Sequence, residues 1–419
     1  MRLSRLNMGF DGWPPGAVRA LVVLSITMII AWGTLFYGVT LIGTRIMAET
    51  GWSKTLIFGA FSLAMLCSGL IAPRIGAWID ARGGRGLMAL GSLVGGLGYL
   101  MLAFAHSPVV LYAAYATIGF GMAGSLYDPA FATLARIAGS KSRTAITLLT
   151  LGGGLASTVF WPLGLWLLSF MDWRNLCLVY AVLNGVVCVL LHGLGLGTGK
   201  GEVAQTTTKS PADAKADSPS EAGSSAPEAL RGRIIALLAL VFMMHGLVSN
   251  GMSVHITTLL GALGLSEAQA VSVGTMIGPA QSAGRLIELA MGGAYPVMRL
   301  GYVATGMLPL AFAALLTMAA TVAGVVAFAV LYGISNGLVT IARGVIVLGL
   351  LGRANYGRTL GAIAMPTLAA KSLSPMAFAV LIDGAGAGVA LAVMALCGLL
   401  AFAGMVALGL MLHRSGGSA

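Results

Sequence analysis

Four charged side chains lie inside stretches that are otherwise apolar enough to enter a lipid bilayer. Arg285 and Lys371 occur in "GPAQSAGRLIELA" and "AMPTLAAKSLSPM", while Asp128 and Arg343 occur in "SLYDPAF" and "TIARGV". A charge at the bilayer centre costs at least about 2.5–3.5 kcal/mol, so such charges usually pair, face water or mark a ligand pathway. Two buried cations without an equal number of nearby acids favour an anionic ligand.

Arg285 suits the binding of a carboxylate, because its guanidinium stays protonated and presents its donors in a fork. Gln281 precedes it by one helical turn, on the same face. The alternative is that Arg285 pairs with Glu288 or extends towards the membrane surface. Lys371 lies about 13 residues into its apolar stretch, roughly 20 Å of helix, where reaching either surface is hardest. Its alternative is to pair with an acid or to face water.

Other polar and aromatic residues fall at similar depths. Asp128 and Arg343 could pair with each other, or Asp128 could carry a proton. His245 could also carry a proton, or it could make a hydrogen bond between helices. The remaining residues could line a binding site or could only pack; they are Trp32, Tyr37, Tyr127 and Asn250.

The composition places these charges in a membrane. Of the 419 residues, 58% are hydrophobic and 9% are charged, and the mean hydropathy is +0.93, whereas soluble domains have about 25% charged residues. Apolar runs long enough to span a bilayer fall near 18–43, 55–79, 86–106, 108–135, 144–170, 175–197, 233–260, 267–292, 300–321, 323–351, 359–382 and 385–412. We therefore expect an all-α integral membrane protein with twelve transmembrane helices. The 60 glycines suit close helix packing, and the four cysteines lie in apolar runs without an obvious disulfide framework.

The apolar runs form two sets of six. Residues 197–233 between them are rich in Ser, Ala, Pro and charge, which predicts a disordered linker. The expected domains are thus an N-terminal bundle, 1–196, the linker, 197–233, and a C-terminal bundle, 234–419. With the N-terminus inside, 17 Lys and Arg residues fall on cytoplasmic segments and three fall outside, which predicts that both termini are cytoplasmic. Because the net charge of +11 resides in these loops, nucleic-acid binding is not expected.

The two halves also resemble each other weakly. "MIIAWGTLFYGVTLIGTRIMAETGWS" can be aligned with "FMMHGLVSNGMSVHITTLLGALGLS", and "TIGFGMAGSLYDPAF" with "LYGISNGLVTIARGV". Internal repeats in a membrane protein favour a transporter whose substrate site lies between the halves, near the midplane.

The loop between the second and third apolar runs has a recognisable pattern. In "GAWIDARGGR", Gly76, Asp80, Gly83 and Arg85 match the pattern G-x-x-x-D-x-x-G-x-R. This loop resembles the cytoplasmic signature of the major facilitator superfamily, as does the arrangement of twelve spans with a central linker. The resemblance implies two pseudo-symmetric six-helix bundles, with these four residues acting as a gating loop that latches the halves when the site faces outward.

"QSAGR" in the eighth run resembles the monocarboxylate and oxalate–formate transporters of that superfamily. That resemblance implies that Arg285 holds a substrate carboxylate and that Lys371 in the eleventh run completes an anion clamp. This chain departs from the pattern in two places, because its first run has no lysine and Gln281 stands where an acid is expected. Proton symport by the route of that branch is therefore not implied.

These features predict a secondary transporter that moves a small organic anion across the inner membrane by alternating access. Arg285 and Lys371 would bind the anion, and Gln281, Asn250, Tyr37 and Tyr127 would line the site. No Walker loop, nucleophile arrangement or metal-ligand set is visible, so we expect no ATP, cofactor, metal or enzymatic activity. We expect a monomer in contact with the lipid bilayer. The alternatives are a proton-coupled exporter of drugs or metabolites using Asp128, and a transporter-like membrane sensor.

Overall fold

The computed structural model describes residues 12–197, 228–291, 295–318 and 321–415 as an array of long helices. In chain order they are α1 Ala17–Thr50, α2 Lys54–Arg82, α3 Arg85–Ala103, α4 Pro108–Ile137, α5 Gly139–Leu167, α6 Trp173–Gly195, α7 Glu228–Ala262, α8 Glu267–Ala290, α9 Val297–Met318, α10 Val322–Leu351, α11 Tyr356–Ala385 and α12 Ala387–Arg414. Within these ranges eleven helices are long and apolar enough to cross a membrane. The twelfth is α8, whose hydropathy is reduced by polar residues such as Gln281 and Arg285. The predicted all-α, twelve-helix membrane fold is confirmed.

Several helices extend beyond the apolar runs that predicted them. The first run was expected to end at residue 43, but α1 continues through Arg45 to Thr50 and ends at Gly51, which has φ 70°. Hydropathy falls where polar side chains begin, so it places the end of the helix too early. The backbone hydrogen bonds of the helix continue as far as the glycine. Similarly, α7 begins at Glu228, within the predicted linker. Residues 198–227 of that linker lie outside the described residues.

The two halves of the molecule, α1–α6 and α7–α12, meet mainly along α2 with α11 and along α5 with α8 and α10. Glycines allow the closest approaches. A Cβ atom on Gly76 would overlap the backbone of Gly357, and one on Gly361 would overlap the backbone around Ala72. Small residues at such crossings let backbones pack directly, which is how membrane helices associate.

The apolar core shows that the halves are joined at one end of the molecule and separate at the other. One cluster contains residues of both halves, including Ile79 and Tyr356, at the face that carries Asp80, which we call the latch face. At the opposite face, the first half has its own cluster around Ile46 and the second half has another around Leu259. The structure is therefore closed at the latch face.

Four helices of the first half are irregular near their middles, and α6 contributes a π-helical turn at Leu183–Cys188. Helix α1 contains a π-helical turn at Trp32–Phe36. Helix α4 is interrupted at Leu126, which is extended with ψ −160°. A regular helix cannot continue through Pro129, because proline lacks a backbone N–H and its ring would clash with the carbonyl of the preceding turn. Helix α5 is interrupted at Leu155, after three consecutive glycines. Irregular backbone at membrane depth is tolerated where protein or a water-filled cavity surrounds it.

Glycine packing between α3 and α4 can be tested within a single helix. A Cβ on Gly91 would lie 2.6 Å from the Cα of Gly124, whereas a Cβ on Gly86 would have no neighbour within 4 Å. Gly91→Ala should therefore destabilise the protein by about 1–3 kcal/mol, as overpacking does. Gly86→Ala should be neutral or slightly stabilising. Thermal unfolding of the detergent-solubilised variants measures both, and equal unfolding temperatures would contradict this account of the helix contact.

Candidate functional site

A cavity of about 110 Å³ lies between the two halves of the molecule. Both bundles line it, and its walls combine charged, hydroxyl, aromatic and aliphatic side chains. The polar and aromatic residues that line it are Trp32, Ser68, Tyr127, Asp128, Phe242, His245, Thr340, Arg343, Thr367 and Lys371. A cavity at the interface of two repeats is where transporters of this architecture hold their substrates.

An ion pair crosses the cavity from one half to the other. The Arg343 Nη2 atom of α10 lies 2.8 Å from the Asp128 Oδ1 atom of α4, which brings together the two residues considered as a pair from the sequence. Asp128 lies in the first turn after the break in α4, where the helix dipole favours a negative charge. The Nε atom of Arg343 is buried and has no partner among the described residues.

Lys371 also lines the cavity, at the middle of α11. No described acid forms a salt bridge with it, although Asp128 and Arg343 are close enough to interact with it electrostatically. The Lys371 carbonyl accepts a hydrogen bond of 2.7 Å from the side-chain amide of Asn250. Asn250 therefore fixes α11 against α7 and is not among the cavity-lining residues.

Arg285 is buried at 6% exposure but does not line the cavity. Its Nη1 atom donates to the Thr150 carbonyl of α5 at 3.1 Å, next to the break in that helix, and its Nε atom has no partner among the described residues. Glu288 does not neutralise it, because Glu288 forms a 2.9 Å salt bridge with Arg143 near the latch face. Arg285 therefore joins the halves through a neutral acceptor.

His245 makes a hydrogen bond between helices. Its Nε2 atom lies 3.2 Å from the Ser335 hydroxyl, which itself donates to the Ala304 carbonyl at 2.6 Å. Since the serine proton is committed to Ala304, the imidazole donates through Nε2. His245 thereby connects α7, α10 and α9, and it is also one of the cavity-lining residues.

Two of the aromatic residues predicted from the sequence line the cavity and one does not. The rings of Trp32 and Tyr127 have centroids 5.0 Å apart. Tyr37 does not line the cavity; its ring packs against Phe36 at 5.2 Å, Trp161 at 6.1 Å and Trp32 at 6.3 Å. Gln281 also lies outside the cavity, where its backbone packs against Gly337 of α10.

The sequence reasoning did not include three hydroxyl residues that line the cavity, namely Ser68, Thr340 and Thr367. For two of them, the spacing in the sequence indicated a position near a buried cation. Thr340 precedes Arg343 by three residues and Thr367 precedes Lys371 by four, so each shares a helix face with a buried cation. Ser68 lies in α2 without such a marker.

The predicted gating loop contacts the other half of the molecule. The Asp80 carboxylate accepts hydrogen bonds of 2.8 Å from the backbone nitrogens of Gly357 and Arg358, in the first turn of α11. Arg136 donates to the Asp80 carbonyl. Gly83 follows with φ 81°, a conformation that favours glycine, and Arg85 begins α3. A carboxylate at a helix N-terminus is doubly favoured, by the free N–H groups and by the helix dipole.

Removing the charge of Asp80 should release the latch face. Asp80→Asn loses charge-assisted hydrogen bonds, which contribute about 1.5–3 kcal/mol each, and should favour opening at that face by at least about tenfold. A Thr340→Cys reporter in a background without native cysteines should then react faster with a membrane-impermeant maleimide applied from the latch face. Asp383→Asn, at an exposed position at the far end of α11, is the matched control. Equal labelling rates in the two variants would contradict the latch.

The ion pair should show strong energetic coupling. Asp128→Asn or Arg343→Gln alone leaves a buried partner unpaired and should cost about 3–5 kcal/mol of stability. The double variant should recover most of that loss, since neither unpaired charge remains. Thermal unfolding of the four proteins closes the double-mutant cycle, and a double variant whose loss is the sum of the single losses would contradict the pair.

Comparison with known proteins identifies the family. A family model described as Major Facilitator Superfamily matches residues 23–295, more than half of the chain. An uncharacterized 38 kDa protein of the 23S RNA operon of Thermoproteus tenax is 35% identical over 133 residues, 31% of this chain and 34% of that protein. Multidrug resistance protein MdtH of Blochmanniella floridana is 27% identical over 151 residues, 35% and 37% of the two chains. Human monocarboxylate transporter 14 is 29% identical over 140 residues, 33% and 27% of the two chains.

These matches span only about a third of the length of the relatives. The fold is similar over almost the whole molecule to the crystal structure of the human organic anion transporter MFSD10 (TETRAN), with a TM-score of 0.71 at 17% identity, covering 94% of this chain and 100% of that one. The family model, the twelve helices and the central cavity agree on one assignment. The chain belongs to the Major Facilitator Superfamily and is a multi-pass membrane protein.

Proposed function

We propose that this protein is a secondary transporter that moves a small organic anion, a carboxylate, across the bacterial inner membrane by alternating access. The observation that carries the proposal is the charge balance near the cavity. Among the described residues there, Arg285, Arg343 and Lys371 are cations, whereas Asp128 is an acid and is already paired with Arg343. Glu288 does not alter this balance, because Arg143 neutralises it. Two positive charges therefore remain for an anion to compensate.

Lys371 is the first binding group in this proposal. It lines the cavity, no described acid forms a salt bridge with it, and its position at mid-helix prevents its ammonium from reaching either membrane surface. Arg285 is the second. Its hydrogen bond to the Thr150 carbonyl crosses between α8 and α5, so movement of the halves would free the guanidinium to exchange a neutral acceptor for a carboxylate. Gln281, Tyr37 and Asn250 would then support the site from outside the cavity.

The proposed transport cycle is based on the difference between the two faces of the molecule. The latch face, which we assign to the cytoplasm together with both termini, is closed by Asp80 and by the shared apolar cluster. The opposite face, where the clusters are separate, would admit the substrate. Because one chain contains the whole cavity, we propose a monomer, with residues 1–196 and 234–419 as the moving bundles and 197–233 as their tether.

The names of two similar proteins support an anionic substrate. One relative is a monocarboxylate transporter and the structural neighbour is an organic anion transporter. The names of other relatives support a second candidate, a proton-coupled exporter, since MdtH is a multidrug resistance protein. Asp128 would be its proton carrier, and it lines the cavity. Two observations argue against this candidate. The Asp128 carboxylate already forms a salt bridge with the Arg343 guanidinium. The surplus positive charge near the cavity would also repel the cationic compounds that many drug exporters carry.

Uptake into proteoliposomes from a panel of labelled carboxylates tests the proposal. Lys371→Gln and Arg285→Gln should each raise KM about 10-fold or more, since a hydrogen bond to a charged group contributes about 1.5–3 kcal/mol. Lys54→Gln and Arg299→Gln remove the same charges at exposed positions and should leave KM unchanged. Equal flux of every anion in all five proteins, wild type included, would contradict the anion site.

The exporter is tested by the Asp128→Asn, Arg343→Gln double variant, which removes the carboxylate without leaving an unpaired cation. If the protein is an anion transporter that does not use Asp128 for coupling, an imposed pH gradient should drive the same flux in this variant as in the wild type. Loss of gradient-driven flux with exchange flux retained would favour the exporter.

A further inference from the structure

The cavity is lined by both charged and aromatic side chains. The charged groups come from Asp128, Arg343 and Lys371, while Trp32, Tyr127 and Phe242 contribute rings. A substrate that occupies this space must therefore present both an anionic group and an apolar surface.

Neighbouring groups hold the rings of Trp32 and Tyr127, which we call the ring wall of the cavity, in fixed positions. Tyr127 stacks on Phe131 with centroids 5.3 Å apart and planes 19° apart, and Trp32 packs against Tyr127 at 5.0 Å. The Tyr127 hydroxyl lies 3.4 Å from the Thr150 carbonyl, to which it donates. Since that hydroxyl is already committed to α5, Tyr127 offers the cavity its ring. Such a wall favours a flat partner, because aromatic rings pack best in offset or edge-to-face arrangements.

The indole nitrogen of Trp32 adds a polar requirement. It is buried and has no hydrogen-bond partner among the described residues. A buried donor without a partner costs the protein its desolvation energy, which an acceptor on a ligand would offset. Trp32, which lines the cavity, therefore has an N–H group for which an oxygen atom of a ligand would be a suitable acceptor.

Charge and size limit the ligand further. Within the cavity Asp128 compensates Arg343, so Lys371 is the one cation left for a ligand among the described lining residues. One anionic group satisfies it. The volume of about 110 Å³ is smaller than the roughly 150 Å³ cavity that accommodates benzene, so it limits the ligand to one ring at most.

From these four observations we propose that the substrate is a single-ring aromatic monocarboxylate. Its carboxylate binds Lys371, its ring lies against Trp32 and Tyr127, and one of its oxygens accepts the indole N–H. This inference rests on the proposed function, because it names the class of anion that the same site takes.

The test compares benzoate and phenylacetate with acetate, oxalate and succinate, by uptake into proteoliposomes and by thermal stabilisation of the purified protein. The aromatic acids should be transported with a KM at least about tenfold below that of the aliphatic acids. Trp32→Leu, which removes both ring and donor, should abolish this preference. Trp32→Phe, which keeps a ring and lacks the donor, should retain part of it. Trp166→Leu, at an exposed position on α5, should leave it intact.

The outcomes separate this inference from the proposed function. If an aliphatic acid is transported with dependence on Lys371 while the aromatic acids neither compete nor stabilise, the substrate class is wrong and the anion transporter stands. An aromatic preference that survives in Trp32→Leu also overturns the inference. If no carboxylate is transported or stabilises the protein, both proposals fail. Trp32→Phe guards against a folding defect in Trp32→Leu, and a monodisperse gel-filtration peak is required of each variant.

Discussion

A charged side chain in the hydrocarbon region of a bilayer has no water to solvate it, so each one needs a partner within the protein or in a ligand. In this molecule the protein supplies some of these partners. Asp128 pairs with Arg343, and Glu288 pairs with Arg143. Lys371 has no acid in salt-bridge contact among the described residues, and Arg285 has only a backbone carbonyl. The buried cations therefore outnumber the acids that pair with them, and this excess of positive charge is the basis of the proposed transport of anions.

The rest of the structure places these charges between two bundles that are closed against each other at the latch face. Glycine contacts bring α2 and α11 into direct backbone contact, and Asp80 closes the latch face with two backbone hydrogen bonds to α11. The contact between α2 and α11 is extensive, and we propose that it is exchanged when the latch face opens. At the opposite face the apolar clusters of the two halves are separate, whereas at the latch face one apolar cluster joins them. In the proposed cycle, opening of the latch face must therefore separate this shared cluster as well as the Asp80 hydrogen bonds.

Much of this arrangement could be predicted from the sequence. Hydropathy gave the number of helices, and the spacing of Gly76 and Asp80 indicated the latch loop, because both signals are local. The relative placement of Arg285 and Lys371 could not be predicted in the same way. Both are cations at membrane depth, but which of them lines the cavity depends on helix rotation and on the breaks in α4 and α5. Helix rotation is set by packing between distant helices, which no single stretch of sequence contains.

The central claim is that a negatively charged ligand compensates Lys371, the cation of the cavity that has no salt bridge among the described residues. Isothermal titration of the purified protein with a carboxylate and with its uncharged amide, which have nearly the same shape, tests this claim most directly. The account predicts that the carboxylate binds, that the amide binds at least about tenfold more weakly, and that Lys371→Met removes the difference. Equal affinity for the two ligands, or a difference that persists in Lys371→Met, would contradict it.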